Sequence, residues 1–187
     1  RQGLKMDYIV GIDNRNRTKR AWMTAAGLKG IPAAFIVDKN GIIQFIGHPM
    51  SEEFEDILSK VMKGRYDKKK QAEAKPSIDA AKHFRSLNSW SESKKAYENA
   101  IAIDPIVFAE LNIELFEMYL LEKRDTTAAY ALANKIITDR GSEDHELLTW
   151  IAEFIATDDR LSDNTRRMDV AMHAAQTALT FAKRKTD

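Results

Sequence analysis

The chain has 187 residues, of which 44% are hydrophobic and 30% charged, enough apolar content for one substantial core or two small ones. Lys and Arg number 29 against 28 for Asp and Glu, and a net charge of +1 gives no field that would gather nucleic acid or anionic lipid. No apolar run approaches the roughly 20 residues of a bilayer span, and with no Cys at all, disulfides, thiolate metal ligation and thiol catalysis are excluded within these residues. Nucleic acid and membrane insertion are not expected. The opening "RQGLKMD" contains no signal-peptide h-region.

The first region, residues 1–64, mixes strand-like and helical runs. Met6 to Asp13, "MDYIVGID", concentrates Tyr8, Ile9, Val10 and Ile12 and predicts a buried strand ended by the polar "DNRNR". Thr18 to Ala26 predicts a short helix with Trp22 inward, closed by Gly27. "AAFIVD" and "IIQFIG" are two strand-like runs joined by "DKNG", where Asn40 and Gly41 supply the positive φ of a tight hairpin. "SEEFEDILSKVMKG" predicts a helix capped by Ser51, with Phe54, Ile57, Leu58 and Val61 on one face and Gly64 at its end. The order is strand, helix, strand, strand, helix.

That order, with "GIP" at residues 30–32 just before the hairpin and "GHP" leading into the helix, resembles the C-terminal half of the thioredoxin fold. It is most similar to the redoxin branch of thiol-disulfide oxidoreductases. The resemblance implies that Pro32 is a cis-proline, with Ile31 docking a substrate backbone and Ala33 completing the substrate-binding loop. Ala33 departs from the Thr often found there, so no hydroxyl is offered. The family's Cys-x-x-Cys would lie upstream of Arg1, with "RQGLK" as the tail of its helix, and the strand leading into those cysteines is missing. That gap implies a fragment of a longer parent, or strand exchange between two copies, making a homo-oligomer. The resemblance favours an extracytoplasmic (periplasmic) location.

Residues 65–76, "RYDKKKQAEAKP", are charged and poor in large apolar residues, and predict a linker or an exposed first helical turn. From Ser77 onward the pattern is helical. "AKHFRSLN" and "SESKKAYENAIAIDP" predict a helix pair, with Ser91 as a cap and Pro105 as the stop. Tyr97, Ala100 and Pro105, with Phe84 as the first-helix aromatic, resemble a tetratricopeptide repeat. The small consensus positions fall on Ala81 and Ser93. Tyr130 and Ala133 repeat Tyr97 and Ala100 at a 33-residue offset, and a third pair spans "EDHELLTWIAEFIATD" and "RRMDVAMHAAQTALTFAKRK". In that last helix Ala171, Ala174, Ala175 and Ala178 are expected to pack closely, and an uncovered Ala and Leu face there implies a parent that continues past Asp187. Met118, Trp150, Phe154 and Met172 are expected in the core, and Trp90 as a staple at a helix start. The fold class expected is α/β plus all-α: a partial thioredoxin-like domain (1–64), a linker (65–76) and a helical-hairpin repeat domain (77–187).

His48, His83, His145 and His173 are scattered, without metal-ligand spacing, so no metal is expected. Glu52, Glu53, Glu55 and Asp56 are explained by the positive end of a helix. No Gly-rich phosphate loop or nucleophile elbow occurs, so no cofactor and no catalytic residue are assigned. By resemblance, a parent oxidoreductase acts on protein disulfides, with this chain inactive alone; the alternative is a cysteine-free protein-interaction module on the same platform.

Overall fold

The computed structural model describes residues 13–140 and 144–184. The chain forms two compact units, Arg1–Tyr66 and Asp67–Asp187; the described residues are mostly helical, with one two-stranded antiparallel sheet among them. The strand expected over Met6 to Asp13 and the segment "RQGLK" lie outside the described residues, Asp13 excepted.

The first unit begins at a carboxylate. Asp13 accepts hydrogen bonds from the N–H groups of Thr18 (2.8 Å) and Lys19 (3.1 Å), which otherwise have no partner at a helix start. The helix that follows is wider than expected, a π-helical stretch over Lys19–Thr24, and Gly27 closes it at φ 70°. Trp22 is 40% exposed rather than buried, its ring lying edge-on to Phe35 at 5.1 Å.

Strands β1 (Ala34–Val37) and β2 (Ile43–Gly47) pair antiparallel, with Ala34 opposite Gly47, Phe35 opposite Ile46 and Ile36 opposite Phe45. The connection differs from a tight turn. Of the expected pair only Gly41 has a positive φ, and Asn40 instead donates its N–H to the Asp38 side chain at 2.8 Å. Asp38 also accepts from the Ile42 N–H (2.9 Å) and from the Gln44 side-chain amide (2.8 Å). The register shifts between Ile36 and Val37, placing Gln44 as the extra residue of a bulge. Gln44 is buried, and Asp38 satisfies its amide.

Alternation along the strands sends Ile36 and Phe45 to one face, where helix α1 (Glu52–Met62) covers them with Ile57, Phe54 and Val61. Phe45 meets Phe54 edge-on at 5.6 Å. Leu58, expected on this inner face, is turned partly to solvent. Ser51 has the extended backbone of an N-cap, yet its buried hydroxyl makes no hydrogen bond, so the expected side-chain cap is not formed.

In the second unit, the segment expected as a linker is helical from Lys68. Asp67 caps helix α2 (Lys68–Ser86), its carboxylate accepting from the N–H groups of Lys69 (2.9 Å) and Lys70 (3.0 Å). Ala74 is fully buried with Ala100 and Phe108, so this stretch buries small residues where large ones are lacking. Pro76 sits inside α2, where its missing N–H removes one helical bond. Helix α3 (Trp90–Ile103) starts one residue before Ser91 and stops ahead of Pro105. It packs closely on α2, and the Ser93 hydroxyl donates to the Ala81 carbonyl at 2.9 Å, both residues being buried.

Helix α4 (Leu111–Glu117) continues as a π-helical turn over Met118–Glu122; α5 (Thr126–Arg140), α6 (His145–Thr157) and α7 (Met168–Arg184) follow. Phe116 on α4 is fully buried, facing Tyr130 of α5 at 6.2 Å and both Trp150 (6.2 Å) and Phe154 (5.7 Å) of α6. Trp90, the first residue of α3, packs against this core. On α7, Val170, Ala171, Ala174 and Ala178 are buried. Ala175 and Met172, expected inside, are exposed, Met172 by 58%. The Tyr130 hydroxyl donates to the Thr165 carbonyl (2.7 Å) and accepts from the Arg167 N–H (3.1 Å), fixing the entry to α7.

Two substitutions test this packing. A Cβ on Gly47 would stand 2.5 Å from the Phe45 ring, so Gly47→Ala is expected to destabilise the first unit by about 1–3 kcal/mol, read as faster amide exchange at Ile36 and Phe45. Tyr130→Phe leaves a carbonyl and an N–H unpaired and is expected to cost the second unit about 1–3 kcal/mol in chemical denaturation.

Candidate functional site

Ile31, Pro32 and Ala33 form the loop that feeds β1. Gly27 ends the preceding π-helical turn, and at the other end the ladder opens with Ala34 opposite Gly47, so the loop is held at both sides while projecting between them. Ile31 is 89% exposed, Pro32 is exposed and Ala33 half-buried. The Ile31–Pro32 peptide bond is cis, the isomer implied by the resemblance. Among the described residues, neither the N–H nor the C=O of Ile31 has a hydrogen-bond partner. An apolar side chain and two free backbone groups therefore stand together at the mouth of the hairpin, the requirements for adding an extended peptide.

Asp38 stands just past the opposite end of β1, about 13 Å from Ala34 at the usual rise per residue. It secures the hairpin and cannot touch a ligand at Ile31. The Ile42 N–H, then the Gln44 amide, hold its carboxyl below the usual carboxylate range. His48 is locally satisfied, its Nδ1 accepting from the Met50 N–H at 3.0 Å. Glu52, Glu53 and Glu55 occupy the first turn of α1, next to its positive end. Among the described residues no group of three or more His, Asp or Glu side chains is placed to hold a metal ion, and no helix is long and apolar enough to cross a membrane.

The second unit offers a different kind of surface. A groove of about 540 Å³ lies between α3, α4 and α5, with Ile101, Pro105, Leu115, Leu132 and Ile136 along it and Glu98, Lys135 and Asp139 among its polar lining. Nearby in the fold, Arg85 of α2 forks onto Glu122 and also binds Glu114 (2.5 Å), tying α2 to α4 and the turn after it. Arg85 also stands beside the Tyr97 hydroxyl, which is buried without a hydrogen bond. Burial pushes the Tyr97 phenol up, against the pull of that cation. The partners of Arg85 lie 29 and 37 residues away, and no local pattern in the sequence announces them. Asp104, at the end of α3, binds Lys70 at 2.5 Å and receives the N–H groups of Ile106 and Val107. Both groups are structural ties.

No family model matches the chain, and neither does any curated protein or solved structure. Its chemistry is therefore read from its own residues.

The Asp38 carboxyl titrates below its unfolded value of about 3.9, so its contribution to the hairpin is complete above that value and is lost as pH falls through the depressed one. Amide exchange at Asn40 and Ile42 is expected to accelerate across that acid window. In Asp38→Asn the acceleration is expected at every pH, with no acid step remaining.

Proposed function

We propose that this chain is the substrate-docking portion of a thioredoxin-like thiol-disulfide oxidoreductase, carrying a helical-repeat extension that binds other proteins. One observation carries the reading: Ile31 presents an exposed apolar side chain and, among the described residues, an N–H and C=O without a hydrogen-bond partner directly ahead of β1. The hairpin with α1 across one face, and the small residues Ala81 and Ser93 meeting between α2 and α3, support the two halves of the proposal.

The chemistry requires a thiolate, which this chain does not contain. A cysteine pair supplied upstream of Arg1 would attack a substrate disulfide, form a mixed disulfide and release the first substrate thiolate; the second cysteine would then displace the other, leaving the enzyme oxidised and the substrate reduced. The present residues hold the substrate chain during that exchange. With Ala33 in place of a hydroxyl residue, that hold rests on the backbone of Ile31 and the apolar contact of its side chain.

A second reading, a cysteine-free interaction module on the same platform, is favoured by the 540 Å³ groove of the helical unit, which sets Ile101, Leu115, Leu132 and Ile136 beside the charged Glu98, Lys135 and Asp139.

The coding sequence preceding Arg1 separates the two. A Cys-x-x-Cys after a strand-like run is expected. In the protein that includes it, Ile31→Asp is expected to lower kcat/KM for a disulfide-containing peptide about tenfold, roughly 1.4 kcal/mol, while leaving reaction with a small aromatic disulfide unchanged. A completed sheet without cysteines, or a peptide reaction indifferent to Ile31, would overturn the redox reading.

A further inference from the structure

The groove between α3, α4 and α5 contains a polar group that the fold does not use. Asn112 of α4 is only 8% exposed, and it lines the groove. Its Nδ2 donates to the Ala109 carbonyl at 2.9 Å, which fixes the side chain, while its Oδ1 has no hydrogen-bond partner among the described residues. Unlike the enclosed, unbonded hydroxyls of Ser51 and Tyr97, that oxygen is open to the surface, and the groove is the opening that Asn112 lines. A polar side chain this buried ordinarily completes its bonds within the protein. Here the remaining acceptor faces a cleft of about 540 Å³, within the usual size of a binding cleft.

Helix α4 packs on both α3 and α5. Asn112 and Leu115 therefore stand between Glu98 and Ile101 on the α3 side and Leu132, Lys135, Ile136 and Asp139 on the α5 side. The charges here are not settled by one another. Glu98 reaches only Lys94, at 3.7 Å and with both side chains about half exposed. Lys135 and Asp139 stand one turn apart on α5 yet make no ion pair among the described residues. The groove thus offers two carboxylates, one ammonium, an apolar lining and one fixed, unused acceptor.

We propose that the groove holds an extended segment of a partner protein, an apolar residue beside a lysine or arginine, with the Asn112 Oδ1 accepting one of its main-chain N–H groups. This rests on the reading of the helical unit as a protein-binding extension and names what it binds. The acceptor selects the conformation: a helix bonds its N–H groups internally, whereas an extended chain needs a partner to supply an acceptor for them. The charge selects the sequence. With two carboxylates against one ammonium at the walls, a basic residue is attracted and an acidic one repelled. Ile101, Leu115, Leu132 and Ile136 supply the apolar surface on which its neighbour is buried.

The test uses this chain and a phage-displayed library of random heptapeptides. The cysteine pair that decides the redox reading does not enter it, so the two fail separately. Enriched peptides are expected to set an apolar residue beside a lysine or arginine. Glu98→Gln combined with Asp139→Asn, both at exposed positions, is expected to weaken such a peptide about fivefold at low salt and little at about 0.5 M salt. Asn112→Leu, with an unchanged circular dichroism spectrum and melting curve, is expected to weaken it about tenfold. N-methylation of the peptide, one amide at a time, is expected to find a position that costs the native chain about tenfold and costs Asn112→Leu nothing further. An absence of enriched peptides would overturn both the proposal and the binding role of the helical unit. Enrichment without basic residues, peptides bound equally by the charge variant, or N-methylation that never separates the native chain from Asn112→Leu would each overturn the proposal alone.

Discussion

The helical unit depends on the burial of Phe116. Its ring joins side chains of α4, α5 and α6, with three aromatic partners in edge-on geometry. Such pairs add about 0.5–1.5 kcal/mol each beyond the area they bury, and here they fix which face of each helix turns inward. Once α5 is oriented by Tyr130, the hydroxyl of that same residue reaches the loop before α7 and sets where the last helix begins. Arg166 completes that corner by donating to the carbonyls of Ile155, Asp158 and Leu161. Around this point the core mixes larger side chains such as Leu148, Ile151 and Ile155 with alanines such as Ala129, Ala133 and Ala174, which let the helices approach closely.

The first unit has a smaller core and a different constraint. A two-stranded sheet is marginal alone, and among the described residues its packed face is the one where Phe45 lies between Ile36, Phe54 and Ile57. Gly47 is required because the Phe45 ring folds across its Cα. On the other face Val37, Ile43 and Ile46 are partly exposed, and Trp22 covers only Phe35. The Asp38 carboxylate therefore matters beyond its turn: by bonding Gln44 it allows a buried polar residue in the bulge, which keeps Phe45 in register with Ile36.

Much of this organisation was legible in the sequence, and the failures have physical causes. The hairpin and α1 follow from alternation and from a three-to-four spacing of large apolar residues, signals that depend on one face alone. Residues 68–76 lack large apolar side chains, so periodicity is silent there, although Asp67 ahead of a lysine run was a cap in plain view. On α7 periodicity gives two stripes instead of none, and only tertiary contact decides that Val170 and Ala171 are inside and Met172 outside. The π-helical stretches at Lys19–Thr24 and Met118–Glu122 leave no mark in composition. The loop at Ile31 was legible because "GIP", a permissive glycine and a proline of fixed φ around one apolar residue, precedes an apolar run that would otherwise extend further as strand.

That loop also explains why the chemistry is harder to read than the fold. A docking site of the kind proposed, made of backbone groups, would need no particular side chain beyond those that shape the loop, and would leave none of the His, Asp or Cys patterns by which reaction centres are recognised. The helical unit has the same property. Its surfaces are apolar grooves and stripes between close-packed alanine helices, and they arise from the packing that stabilises the unit. Close approach requires small residues on the buried stripe; the larger Met and Leu side chains of α7 then stand on the outside. Binding capacity is thus a by-product of how these helices pack, and it is encoded at positions that look like core.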